Sequence, residues 1–256
     1  MMDRTRDKSL LRAMAQEIGW AANALPTEPL TGFLAARGEA YQGELMWVGR
    51  AVNGWLKPGC TPAALQDESR IDALVQAVFD KALGLDEDGP CPLRWVANPW
   101  SGKKDDYNTA RSAFWRTAKQ VLAGLDPSAP ADPTWSSRLV WSNLYKFAPE
   151  KGWNPGAKVI ARQQALCREL LLHEIATFRP KRLVLATGLD WAKPFVSAPC
   201  FAVEAEPKGK YLDAYGALML DGEPIGRFVV ARHPMGKKEE CWIKEVRKGL
   251  EGSALP

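Results

Sequence analysis

The sequence predicts an α/β fold of three layers, with helices on both faces of a mainly parallel, four-stranded central sheet. Three observations predict it. Four short runs, residues 45–48, 139–141, 183–186 and 228–231, are apolar on consecutive positions, as strands buried on both faces are. Helical periodicity marks residues 71–83, 111–122 and 157–178, which lie between those runs. Strands that alternate with helices build a sheet covered on both sides.

Taken in order, Leu10, Leu11, Met14 and Ile18 recur at helical spacing near the start, and residues 1–40 read as a helical N-terminal extension. The core spans about 45–250 of a single domain, the natural organisation for 256 residues. The segment 126–133, rich in proline and aspartate, is an exposed connection. The long helical stretch 157–178 is closed by Arg179-Pro180, because a residue before proline is disfavoured in the α conformation. Asp221-Gly222, between apolar residues, predicts a hairpin turn that feeds the last strand.

Composition narrows the function classes. With 46% hydrophobic and 25% charged residues the chain is globular rather than disordered. No window reaches the roughly 20 apolar residues of a membrane span, and the N-terminus lacks the apolar centre of a signal peptide, so no membrane partner and a cytoplasmic location are expected. Cys60, Cys91, Cys167, Cys200 and Cys241 are scattered and never spaced C-x-x-C, which predicts neither disulfides nor a zinc finger. Neither G-x-x-x-x-G-K-[ST] nor G-x-G-x-x-G occurs, against a nucleotide cofactor. No metal or other cofactor is expected. A net charge of +4 permits a nucleic-acid partner, and basic pairs sit beside candidate loops, as Lys103 and Lys104, Lys146 and Lys151, Lys208 and Lys210, and Lys237 and Lys238.

In open parallel sheets, ligands bind beyond the carboxyl ends of the strands. Four stretches there read as loops in which polar groups, glycines and aromatics converge: Gly49-Arg50-Ala51-Val52-Asn53-Gly54-Trp55, Ser142-Asn143-Leu144-Tyr145-Lys146, Thr187-Gly188-Leu189-Asp190-Trp191 and Arg232-His233-Pro234-Met235-Gly236-Lys237. Of the eleven tryptophans, Trp47, Trp95, Trp115 and Trp141 belong to the core by position. Trp55, Trp100, Trp153 and Trp191 fall on candidate loops, where one or two can stack on bases. His173, amid Leu170, Leu171, Leu172 and Ile175, reads as a helix residue and not a ligand.

These stretches, in this order, resemble the uracil-DNA glycosylase superfamily. Val48-Gly49-Arg50-Ala51-Val52-Asn53-Gly54 resembles the family's first motif, and Pro99-Trp100-Ser101-Gly102 its Pro-Phe-x-Gly stretch. Ser142-Asn143-Leu144-Tyr145-Lys146-Phe147-Ala148-Pro149 is similar to Thr-Asn-x-x-Lys-Cys-x-Pro, and Ala231-Arg232-His233-Pro234 to the last-loop His-Pro-Ser motif, with Met235 in place of the serine.

The resemblance implies a monofunctional DNA glycosylase that flips a pyrimidine-type base from DNA and hydrolyses its N-glycosidic bond. It implies that Asn143 reads the base edge, Trp100 stacks on the base, Gly49 lies against it, and His233 stabilises the leaving base; Arg50 and Asn53 face the sugar and water, and Lys146, Lys237 and Lys238 hold phosphate. The first motif lacks the family's carboxylate or amide at its usual place, so Asn53 or a neighbouring Asp67, Asp105 or Asp106 would serve the water. The base is then uracil or a modified cytosine such as those of phage DNA, and repair and phage defence are alternative settings. Of the cysteines that bind an iron–sulfur cluster in some branches, only Cys167 is present, with Phe147 at another ligand position, so no cluster is expected. The enzyme is expected to act as a monomer on single- or double-stranded DNA. The alternative is a catalytically inactive protein that binds DNA or a partner on the same fold.

Overall fold

The computed structural model describes residues 4–85, 91–102, 107–125, 134–205 and 209–252. Lys103, Lys104, Asp105, Asp106, Lys208 and the connection 126–133 lie outside them. In chain order the elements are α1 (Thr5–Trp20), β1 (Leu30–Gly32), β2 (Ala36–Arg37), β3 (Leu45–Ala51), α2 (Glu68–Leu83), α3 (Arg94–Ala97), α4 (Ala113–Leu125), β4 (Leu139–Tyr145), β5 (Phe147–Pro149), α5 (Ala157–Phe178), β6 (Arg182–Leu185), α6 (Leu189–Val196), β7 (Phe201–Ala205), β8 (Leu212–Leu220), β9 (Glu223–Ala231) and α7 (Glu239–Glu251).

The four apolar runs all form strands, and they are neighbours at the centre of one sheet of order β2-β4-β3-β6-β9-β8-β7. Trp47 pairs with Val184 and Val184 with Val229, both in parallel register. The expected four-stranded sheet is corrected to seven strands of mixed direction, because β2 adds antiparallel to β4 while β8 and β7 add antiparallel beyond β9. Of the added strands, β2 is only two residues long, whereas β8 closes on the apolar residues 217–220 just before its hairpin turn. Along β8, buried and half-buried residues alternate, as they do where one face of a strand is covered. The β8–β9 hairpin turns on Asp221 and Gly222, with φ of 52° and 85°, the left-handed pair that a two-residue hairpin needs.

The chain forms two compact units, one of Met1–Ala35, Gly49–Glu87 and Asn143–Thr177, the other of Ala36–Val48, Asp88–Ser142 and Phe178–Pro256. In the first unit, α1, α2 and α5 bury Leu11, Met14, Ile18, Ile71, Val75, Leu170 and Ile175. Residues 1–40 are thus more than a helical extension, since β1 pairs with β5 through Thr31 and Ala148. Asp67 starts α2 by accepting the Ser69 N–H at 2.8 Å, and Gly84 ends it at φ 69°. His173 Nε2, on α5, lies 3.2 Å from Asp7 Oδ1.

The second unit contains the seven-stranded sheet's centre and an aromatic core. Trp115 meets Trp141 at 5.2 Å and Trp95 at 5.7 Å, while Trp47 meets Trp242 at 5.9 Å, all edge to face. Each such pair adds about 0.5–1.5 kcal/mol beyond the area it buries. Trp47, Trp115 and Trp141 are buried as expected, and Trp95 is half-buried. Trp55 is corrected: it is buried in the first unit against Phe33 at 5.5 Å, with Lys81 over its ring. No helix among the described residues is long and apolar enough to cross a membrane.

Candidate functional site

In the first unit, the nominated loops are partly strand. Gly49 and Arg50 belong to β3, and Asn143 and Tyr145 to β4, which is buried along its whole length. The apolar run at 139–141 ends sooner than the strand does, because Ser142 and Asn143 continue it with polar side chains. Asn143 is 2% exposed, and its Nδ2 has no hydrogen-bond partner. Burying an amide donor in this state costs about 1–3 kcal/mol. Such a group is an exception that asks for a partner.

The β4–β5 junction just after Asn143 is held from α5. Gln163 Oε1 accepts the N–H of Lys146 at 3.0 Å and of Phe147 at 2.8 Å, and its Nε2 donates to Phe147 O at 2.8 Å. Cys167 donates to the same Oε1 at 3.3 Å, and burial pushes its thiol up to about 12. Burial likewise pushes the Tyr145 phenol up to about 12. Lys146 is corrected as a phosphate contact: it is 0% exposed, and its Nζ donates to Glu174 Oε1 at 2.7 Å. A buried ammonium cannot reach a phosphate on the surface.

Asn53 is exposed on the loop after β3, where two chain segments interlock. Its Oδ1 stands 2.5 Å from where a Cβ on Gly152 would lie, and Gly152 has φ 92°, so any side chain there would be strained and would displace the Asn53 amide. Glu150 Oε2 accepts the Gly59 N–H at 2.7 Å. A carboxylate therefore stands against Gly59, five residues beyond the first-motif stretch that ends at Gly54, and it comes from the segment after β5. Asp67 is corrected as the water-activating group, since its carboxylate caps α2.

In the second unit, His233 follows β9 on a braced turn. Ala231 O accepts from Gly188 N–H at 2.8 Å, Arg232 O accepts from the Trp242 indole at 2.7 Å, and Asp213 takes both Arg232 Nε at 3.3 Å and Leu189 N–H at 3.1 Å. Ala186 and Thr187 form a turn, Gly188 caps α6, and Leu189 to Trp191 open that helix. Phe114 stacks parallel to the imidazole at 6.0 Å and 11°. His233 Nδ1 accepts the Met235 N–H at 3.3 Å, so the neutral ring carries its proton on Nε2 and presents a donor there.

Trp100, also in the second unit, lies half-buried with its ring against Trp135 at 5.4 Å and with Lys119 Nζ 5.2 Å from its centroid. Burial lowers the Lys119 ammonium pKa. Lys237 and Lys238 are exposed at the start of α7, where Glu239 is already paired with Arg116. Among the described residues, no group of three or more His, Cys, Asp or Glu side chains could hold a metal ion.

No protein-family model matches the chain, and no curated protein matches it. The nominated residues thus rest on their own geometry. Gly49, Arg50, Asn53, Asn143 and Lys146 belong to the first unit; Trp100, His233, Lys237 and Lys238 belong to the second. Glu150, Gln163, Phe114 and Asp213 were missed. A polar residue on the buried face of α5 was a signal for Gln163; the other three carry no local pattern.

Proposed function

We propose that the chain is a monofunctional DNA glycosylase that extrudes a pyrimidine-type base and hydrolyses its N-glycosidic bond. The observation that carries this is Asn143, a buried amide with an unsatisfied donor two residues before the end of a central strand. An amide offers a donor and an acceptor on adjacent atoms, the pattern of a pyrimidine edge. On this reading β4-β3-β6-β9 is the parallel core of a three-layer, uracil-DNA glycosylase-like fold, and β2, β8 and β7 are additions to it.

The chemistry divides between two charges. As the bond between C1′ and the base nitrogen breaks, its electron pair goes to the base, and positive charge grows on the sugar. His233 Nε2–H donates to the base oxygen that gains negative charge; a preorganised donor of this kind is worth about 3 kcal/mol. Water forms the new bond to C1′, held by Asn53, and Glu150, on the segment after β5, takes the proton it loses. Trp100 stacks on the base, and Lys237 and Lys238 meet phosphate. Uracil and an enlarged or modified cytosine both suit an amide that can rotate. The protein works as a monomer in base excision, in repair or against phage DNA.

A second reading, a DNA-binding protein without catalysis, is favoured by the absence of a carboxylate between Arg50 and Asn53. The test is abasic-site formation on oligonucleotides carrying uracil, other deaminated bases and modified cytosines, with wild type, His233→Ala and Asn143→Ala. Cleavage that largely vanishes in both variants supports the enzyme. Binding without any cleavage supports the second reading, and neither binding nor cleavage refutes both.

A further inference from the structure

We infer that Trp153 is a stacking platform for an unpaired base of the DNA strand, a reading that rests on the DNA partner proposed above. Its backbone lies at φ 86°, directly after Gly152 at φ 92°. Glycine adopts that conformation freely, whereas for a bulky residue it is an outlier. The side chain is 88% exposed. A single exposed apolar residue needs no explanation, and Trp20 is an ordinary case in the last turn of α1. A large aromatic ring held out into water by a backbone that disfavours it is different. Neither packing nor local propensity accounts for it, and strain of this kind is characteristic of binding sites.

The loop that carries Trp153 is held in place from below. Gly152 N–H donates to Pro149 O at 3.2 Å, and Asn53 Oδ1 closes on the Gly152 backbone. The surroundings fit a nucleic-acid strand. Lys151 is exposed two residues before the ring, and Lys57 is exposed with its Cε 3.4 Å from where a Cβ on Gly54 would lie. The carboxylate of the same segment, Glu150, is half-buried and turned onto Gly59 N–H. Exposed aromatics between lysines are the chemistry of single-strand binding, in which rings stack on bases and ammonium groups follow the phosphates. Of the other tryptophans expected on loops, Trp55 is buried, Trp100 lies half-buried beneath Lys119, and Trp191 is half-buried in α6.

The experiment is fluorescence anisotropy of a labelled single-stranded oligothymidylate with the full chain as wild type, Trp153→Gly and Trp153→Tyr, together with thermal melts of all three. Loss of one stacked base weakens binding about tenfold in Trp153→Gly, while Trp153→Tyr keeps most of the affinity. The dependence of affinity on salt stays unchanged, because no phosphate contact is lost. Trp153→Gly melts no lower than wild type, since glycine suits the conformation. Equal affinity of Trp153→Gly and wild type overturns the assignment and leaves the DNA reading standing. A wild type that binds no oligonucleotide removes the DNA reading, and the assignment with it.

Discussion

Lys146 and Glu174 meet at 2.7 Å with both side chains fully buried, so an ion pair sits inside the first unit three residues beyond Asn143. Removing one partner leaves the other charge buried and uncompensated, a loss of about 3–5 kcal/mol. Lys146→Met should therefore lower the urea midpoint strongly, whereas Lys146→Met with Glu174→Leu should recover most of it. DNA affinity tells the two lysine roles apart. Lys237→Gln with Lys238→Gln should flatten the salt dependence of binding, which the Lys146 double variant should leave alone.

Asn143 should behave as a residue kept at the expense of the fold. Its Nδ2 donor is buried without a partner, so Asn143→Leu should raise stability by about 1 kcal/mol and abolish base recognition. Thermal melts and the abasic-site assay read the two effects separately. A variant that loses stability would mean that the amide serves the strand.

Gln163 bonds both ways to Phe147, donating to its carbonyl and accepting from its N–H. Gln163→Glu keeps the acceptor and loses the donor, leaving a buried carbonyl unpaired next to a new charge. A loss of about 1–3 kcal/mol is expected. Hydrogen exchange at the Lys146 and Phe147 amides should quicken in Gln163→Ala, and unchanged protection would show that α5 does not hold the junction.

Alkaline pH should weaken the same region. Burial raises the Tyr145 phenol from 10.0 and the Cys167 thiol from 9.0, each to about 12. The folded chain thus keeps protons that the unfolded chain has released. The stability these groups contribute is complete below their unfolded values and is lost as pH rises from there through about 12. Urea midpoints should fall over that range. Tyr145→Phe should make the fall shallower, and an identical profile would show that the phenol does not titrate with folding.

Much of the architecture was legible because its signals are local. The runs at 45–48 and 183–186 are apolar on consecutive residues since both faces of those strands are covered, and Asp221-Gly222 marks its hairpin because few other pairs accept two left-handed residues. The edge strands were not legible. Ala36 and Arg37 form a strand only because β4 offers a partner, and a two-residue pairing leaves no periodicity to read.

For the candidate site, the sequence by itself determined which chemistries follow which apolar run: an amide at Asn143, an imidazole at His233, and no carboxylate between Arg50 and Asn53. These are matters of composition and order along the chain. Only the tertiary structure decided what each group touches. It buried Lys146 on Glu174, used Asp67 as a helix cap, and brought Glu150 onto Gly59. The physical reason is that burial and hydrogen bonding depend on segments far apart in sequence. Gly59 and Glu150 are separated by 91 residues, and no local pattern encodes a contact across that length.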